Sequence, residues 1–244
     1  MNRPIGVIVV GCGNMGSSHA RAYHQMPGFE ILGLVSRKPR SRDRLSTELG
    51  GYPTFATLKE ALKASQAQAV SINTYPDSHA ALVREALNAN CHVFVEKPLA
   101  LTVEEASDLV GLARSRDLKL VVGYILRVHP SWARFVEEAR KLGKPLVMRM
   151  NLNQQSSGAQ WYTHRQLMKS MSPIVDCGVH YVDIMCMMTE SRPISVSAIG
   201  VRLTAEIDPD MYNYGQLQVR FEDGSVGWYE AVWVPMMSDN DFFF

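Results

Sequence analysis

An apolar, largely β-branched run from Ile5 to Val10 leads straight into three glycines spaced Gly11-x-Gly13-x-x-Gly16. That junction constrains the fold more than any other feature of the chain. The run does not alternate apolar with polar residues, so it reads as a strand buried on both faces, the habit of a parallel sheet. The segment Met15–Met26 behind it reads as a helix. Between a buried strand and a helix the three glycines have separate tasks. Gly11 permits the tight turn, Gly13 lets a pyrophosphate approach the backbone, and Gly16 lets the helix pack close to the strand. The phosphates then sit at the helix N-terminus, over Asn14 and Met15, where free N–H groups and the helix dipole favour anions. The plainer alternative is a glycine-rich turn with no ligand.

The alternation continues. Ile31–Val35, Val70–Asn73, His92–Val95 and Leu118–Val122 read as short strands. Arg40–Leu49, His79–Leu87 and Val103–Ala113 read as the helices between them, the second entered through Pro76-Asp77-Ser78. Strand and helix in turn predict βαβ units and a doubly wound parallel sheet of Rossmann type. After Gly123 the pattern changes. Pro130–Leu142 is a helix and Pro145–Asn153 an edge strand. Helical segments follow near His164–Ser170 and at Pro173–Met188, and then strands at Ser195–Leu203, Tyr214–Phe221 and Val226–Val234. Glu222-Asp223-Gly224-Ser225 is a hairpin turn between the last two. Successive strands with a hairpin predict an open antiparallel sheet in an α+β domain. The expected domains are residues 1–123 for the dinucleotide and 124–244 for the substrate, the second incomplete. A sheet ending at Val226–Val234 exposes an unpaired edge near Trp228, Trp233, Val234, Met236, Met237 and Phe242 to Phe244, which predicts a truncated, association-prone chain.

At the end of the second strand, about 20 residues beyond the glycines, an acid would bind the ribose hydroxyls of NAD. Here stand Ser36, Arg37 and Lys38, with Arg40, Arg42 and Arg44 nearby; Asp43 lies too far along. A hydroxyl and two cations suit a 2′-phosphate, so NADP is favoured and NAD remains possible. A solvated basic helix also accounts for Arg40 to Arg44.

Glu96-Lys97-Pro98 follows a buried strand, at the edge where open α/β sheets bind ligands. A lysine there can hydrogen-bond a reacting oxygen; a structural Lys–Glu pair closing the strand is the alternative. Asp176, His180 and Asp183 share one helix face at i, i+4 and i+7, with Gly178 offering close approach to a ligand. A carboxylate one turn from an imidazole fixes its tautomer and raises its basicity. A capped buried histidine and a metal site compete with that reading, although no further His or Cys stands at ligand spacing, so no metal is expected. Trp161 and Tyr162 follow Ser156-Ser157-Gly158, a segment read as flexible, and form either a substrate wall or a packed aromatic pair.

Net charge is +1, which gives no global attraction to nucleic acid or anionic membranes. The cysteines Cys12, Cys91, Cys177 and Cys186 form no CxxC pair and read as buried free thiols of a reducing, cytoplasmic compartment. No apolar stretch approaches the roughly 18 residues that span a bilayer.

The ordered set of motifs resembles the glucose–fructose oxidoreductase/inositol dehydrogenase/rhizopine catabolism (Gfo/Idh/MocA) family. It comprises the glycine turn, Thr74-Tyr75-Pro76-Asp77-Ser78-His79, Val95-Glu96-Lys97-Pro98-Leu99-Ala100, Gly123-Tyr124, Arg127-x-His129-Pro130 and Asp176-x-Gly178-x-His180-x-x-Asp183. The resemblance implies sugar or cyclitol oxidoreduction with a nicotinamide cofactor. Lys97, Asp176 and His180 then match the catalytic trio, and Thr74, Pro76 and His79 the loop beside the nicotinamide. Glu96 joins the cofactor-binding residues, and Arg127, Trp161 and Tyr162 join Lys97, Asp176 and His180 around the substrate. Members of the family are longer than this chain, and their large sheet implies a homo-oligomer. The expected partner is a small polyol, with no nucleic acid or membrane. A nicotinamide-dependent glycosidase and a non-catalytic dinucleotide sensor are the alternatives, the latter disfavoured by Lys97, Asp176 and His180.

Overall fold

The computed structural model describes residues 3–235. Two compact units meet between Gly123 and Tyr124. In chain order the first contains β1 (Ile5–Val10), α1 (Asn14–Gln25), β2 (Phe29–Val35), α2 (Pro39–Glu48), β3 (Thr54–Phe55), α3 (Leu58–Ala64), β4 (Ala69–Ile72), α4 (His79–Asn88), β5 (His92–Val95), α5 (Val103–Ser115) and β6 (Leu120–Val122). Its six strands are all parallel, in the order β3-β2-β1-β4-β5-β6.

Helices on both faces explain why β1 does not alternate. Val7 and Val9 join Ile31 and Leu34 under Ala20 of α1 and Leu45 of α2. Ile8 and Val10 face the other way, with Val70, Ile72, Val93 and Val95 under α4 and α5. Each such side chain contributes about 1.5–3 kcal/mol by leaving water, so one acid in place of Ile8 would break the sheet. Two elements had not been expected, β3 and α3. The sequence signal for α3 was present: Thr57 accepts from the Glu60 N–H at 3.2 Å while Glu60 reaches back to the Thr57 N–H, a capping box.

The second unit contains α6 (Pro130–Lys141), β7 (Val147–Ser156), α7 (Gly158–Leu167), α8 (Pro173–Thr189), β8 (Pro193–Val201), β9 (Tyr214–Phe221) and β10 (Val226–Pro235). Its sheet runs β7-β10-β9-β8. The expectation of an antiparallel sheet is corrected here: the sheet is mixed. β8, β9 and β10 are antiparallel neighbours, but β10 pairs parallel with β7, from Val226↔Val147 to Pro235↔Ser156. The helices α7 and α8 intervene between β7 and the later strands and allow β10 to return in the same direction.

The expected bare edge at Val226–Val234 is corrected by the same pairing, because β10 lies inside the sheet. Tyr229, Ala231 and Trp233 are buried under α8 and its neighbours, and the Trp233 indole donates to Gln154 at 2.7 Å. Met236, Met237 and Phe242 to Phe244 lie outside the described residues. The exposed edge is β8 instead, open on both faces, with Val196 69% and Ile199 61% exposed.

The helix expected near His164–Ser170 begins earlier, at Gly158, because burial of Trp161 and His164 sets its inner face. The segment before it is not loose: Ser156 is fully buried and its hydroxyl bonds His164 Nδ1, whose ring stacks on Trp233 at 4.2 Å. α8 packs on β9 and β10, and Met185 approaches so closely that a Cβ on Gly227 would lie 2.5 Å from its sulfur. None of the four cysteines forms a disulfide, but Cys186 is only partly buried, a correction to the expectation for that residue. Burial pushes the Cys12 thiol up to about 11, with Arg42 opposing that rise.

Candidate active site

In the first unit the parallel strands deliver their C-terminal ends to one edge. There the strand order turns back between β1 and β4, the switch point at which such sheets take ligands. Gly11 occupies the turn after β1 with φ +94°, a conformation L side chains rarely adopt, and an added Cβ would meet Asn73 O at 2.5 Å. Gly16 is buried in the first turn of α1, where a Cβ would stand 1.6 Å from Gly11 O. Gly13 is different: nothing lies within 4 Å of its Cβ position. That open side above the N–H groups of Asn14 and Met15 is the cradle a phosphate needs and a side chain would fill. Met15 is 49% exposed beside it. Across the switch point, Thr74 accepts a 2.7 Å hydrogen bond from the Ser78 hydroxyl and Pro76 is buried, which fixes the loop after β4.

Ser36, Arg37 and Lys38 follow β2 on the same edge, with Arg37 and Lys38 exposed. The turn is built by Arg42, which sequence reading had left between a 2′-phosphate site and a solvated basic helix: its guanidinium donates to Ser36 O at 2.7 Å. At the end of β5, Glu96 is held by His19, Nε2 to Oε1 at 2.9 Å. Burial raises the Glu96 carboxyl, but His19, the Lys97 backbone N–H and the Lys97 charge together outweigh it and hold the group below its ordinary range. His79 is fully buried. Its Nδ1 lies 2.7 Å from Pro98 O and its Nε2 3.1 Å from Thr74 O, so it braces the loops rather than facing outward.

In the second unit, α8 carries Asp176, His180 and Asp183, its start capped by the Ser172 hydroxyl. The Tyr124 ring stands edge-on to His180 at 6.3 Å. Arg127 lies over the same tyrosine at 5.5 Å and grips Asp183 with two bonds, at 2.7 and 2.5 Å. Burial first, and then the Asp183 charge, raise the Tyr124 hydroxyl above its usual value against the opposing pull of Arg127. Gly178 does not offer space to a ligand as expected: the Tyr229 ring fills it, 3.0 Å from where a Cβ would be. Trp161 is buried with its indole N–H donated to Glu206 at 3.1 Å, whereas its neighbour Tyr162 is 59% exposed. Among the described residues, no three His, Cys, Asp or Glu side chains converge to hold a metal ion. No described helix is long and apolar enough to cross a membrane.

His19 and Tyr124 are the neighbours of the site that sequence reading did not assign. The signal for His19 was its place one helical turn beyond Gly16.

Residues 5–124 match the model of an oxidoreductase family with an NAD-binding Rossmann fold, and residues 133–242 match the Gfo/Idh/MocA C-terminal domain. The chain belongs to the Gfo/Idh/MocA family. One relative, the UDP-N-acetylglucosamine 3-dehydrogenase of Acidithiobacillus ferrooxidans, is 28% identical over 79% of this chain and 57% of its own length. Another, the scyllo-inositol 2-dehydrogenase (NAD(+)) of Bacillus subtilis, is 25% identical over 95% of this chain and 68% of its own. Among solved structures, GenD2 from gentamicin A biosynthesis in complex with NAD superposes with a TM-score of 0.86 at 26% identity, over 98% of this chain and 68% of that one. This Gfo/Idh/MocA chain thus spans from a little over half to about two thirds of the length of these relatives.

Proposed function

We propose that this chain is the cofactor- and substrate-binding part of a cytoplasmic dehydrogenase. It would pass a hydride between a secondary alcohol of a sugar, cyclitol or related polyol and a nicotinamide dinucleotide, with NADP favoured over NAD. The observation that carries the reading is the carboxyl edge of the first unit, where the open side of Gly13 and the strand end bearing Lys97 flank one switch point. The names of the relatives, which act on UDP-N-acetylglucosamine and scyllo-inositol, supply the substrate class.

When bound, the nicotinamide supplies the hydride acceptor or donor. The chain's own residues do the rest. The N–H groups at the start of α1 bind the phosphates. Arg42 orders the Ser36 turn so that Arg37 and Lys38 meet a 2′-phosphate. Lys97 hydrogen-bonds the reacting oxygen and steadies charge as it develops. His180 takes or returns the hydroxyl proton, oriented by Asp176 one turn earlier. Arg127, already neutralised by Asp183, offers its remaining surface to neutral hydroxyls, and the exposed Tyr162 joins the substrate wall. Trp161 shapes the wall from behind.

The test is a screen of sugars and cyclitols, scyllo-inositol and UDP-N-acetylglucosamine included, against NADP and NAD. It is followed by absorbance of the reduced nicotinamide. Turnover of one polyol with a lower KM for NADP is the expected result. Sugar release without net cofactor reduction would reassign the chain as a glycosidase, and dinucleotide binding without any turnover would make it a sensor. The exposed edge strand β8 supports a homo-oligomer formed through the second sheet. Replacing Val196 and Ile199 by lysine should then lower the mass seen by sedimentation.

A further inference from the structure

Lys97 is flanked on both sides by residues that histidines hold, and hydride transfer as read above uses neither histidine. On one side, His19 Nε2 is 2.9 Å from Glu96 Oε1, with the two side chains only 21% and 14% exposed. An ionised carboxylate can only accept, so Nε2 carries the hydrogen. The His19 ring is wedged against Phe94, centroids 4.9 Å apart. The Glu96 carboxylate also accepts the backbone N–H of Lys97. Its second oxygen is confined by Gly123, where a Cβ would come within 3.1 Å of Oε2. On the other side, the Pro98 carbonyl is bound by the buried His79. His19 belongs to α1, the helix that begins at the glycine turn. His79 opens α4, the helix that follows the Thr74 loop. The two helices bordering the cofactor crevice therefore both reach the segment that bears the lysine.

We propose that His19 is a positioning residue for Lys97: through Glu96 it fixes the backbone at the lysine and ties its place on the sheet edge to the helix that receives the cofactor phosphates. The inference rests on the function proposed above in giving Lys97 a chemical task. Without the His19 donor, a desolvated carboxylate is left short of a partner and turns toward water. It then releases the Lys97 N–H, and the lysine loses its fixed approach to the reacting oxygen.

The experiment compares His19→Ala and His19→Gln, since the glutamine amide can replace the Nε2 donor, in the full chain. Hydrogen exchange at the Lys97 amide, read by NMR, should quicken roughly tenfold or more in His19→Ala as local opening becomes easier, and stay near wild type in His19→Gln. With NADP and the polyol that the screen above selects, kcat should fall about 10- to 100-fold in His19→Ala, the scale of a misplaced catalytic group, and recover in His19→Gln. The dissociation constant for NADP should move by no more than about twofold, a shift of under 0.5 kcal/mol. Unchanged Lys97 exchange in His19→Ala, or a glutamine variant as impaired as the alanine, would overturn the proposal. So would normal kcat alongside quickened exchange. A wild-type chain that turns over no polyol of that screen with either dinucleotide would count against the proposed function, and the exchange data would still decide whether His19 fixes Lys97.

Discussion

Gly13 and Gly16 stand three residues apart in one turn, yet their replacement by alanine should fail in opposite ways. At Gly16 the new Cβ would lie 1.6 Å from Gly11 O, against a floor of 3.0 Å for real contacts, and the obstacle is backbone. The shortfall of about 1.4 Å can be relieved only by lifting α1 from the sheet, which disturbs the contacts of the buried Ser17 and Ala20. Overpacking of this kind costs about 1–3 kcal/mol or more. At roughly 4 °C per kcal/mol for a domain of this size, melting should fall by about 4–12 °C. At Gly13 the φ of −84° suits alanine and the space is open, so stability should change by less than about 1 kcal/mol, mostly from a poorer N-cap. The methyl group fills the phosphate cradle instead, and dinucleotide affinity should drop at least tenfold, about 1.4 kcal/mol. Circular-dichroism melting and titration of nicotinamide fluorescence measure the two effects. A Gly16→Ala chain melting within 2 °C (roughly 0.5 kcal/mol) of wild type would refute the packing argument. Unimpaired cofactor binding by Gly13→Ala would refute the cradle.

Arg37→Ala should weaken NADP by about 1.5–3 kcal/mol, the scale of a charge-assisted bond, and leave NAD nearly unchanged; equal losses in a titration would remove the 2′-phosphate role. Lys97→Ala and His180→Ala should each lower turnover by roughly two to four orders of magnitude with cofactor binding retained. Near-normal rates for His180→Ala across the pH range would end its assignment as acid–base group. The depressed Glu96 carboxyl contributes stability that is present above its ordinary value of 4.5 and is lost as pH falls through the lower folded value. Melting curves of wild type and Glu96→Gln should therefore separate at neutral pH and converge in acid; a gap that widens in acid would reverse the inferred direction.

Much of the first unit was legible because its signals are local. The limits of β1 and β5 followed from unbroken apolar runs, and each glycine of the turn from its place between strand and helix. α3 was missed although its capping box is written in Thr57 and Glu60, since short helices carry little periodicity. The start of α7 was misplaced because burial of Trp161, rather than any local pattern, sets it. In the candidate site, the residue types and their order along the chain pointed to Lys97, Asp176 and His180. The pairs that flank those residues were not legible, because His19 to Glu96 spans 77 positions and Arg127 to Asp183 spans 56.

The sequence by itself determined the elements that depend on near neighbours: the alternating strands and helices, the glycine turn and the helix face bearing Asp176, His180 and Asp183. Only the tertiary structure decided which strands pair and which side chains meet. β10 joined β7 in parallel, against the antiparallel expectation. Tyr229 took the space beside Gly178 that had been left for a ligand, and a histidine one turn past the phosphate site became the support of Glu96. Periodicity records which face of an element is apolar and carries no information about the partner that covers it. That choice is made by burial and hydrogen bonding across the whole chain.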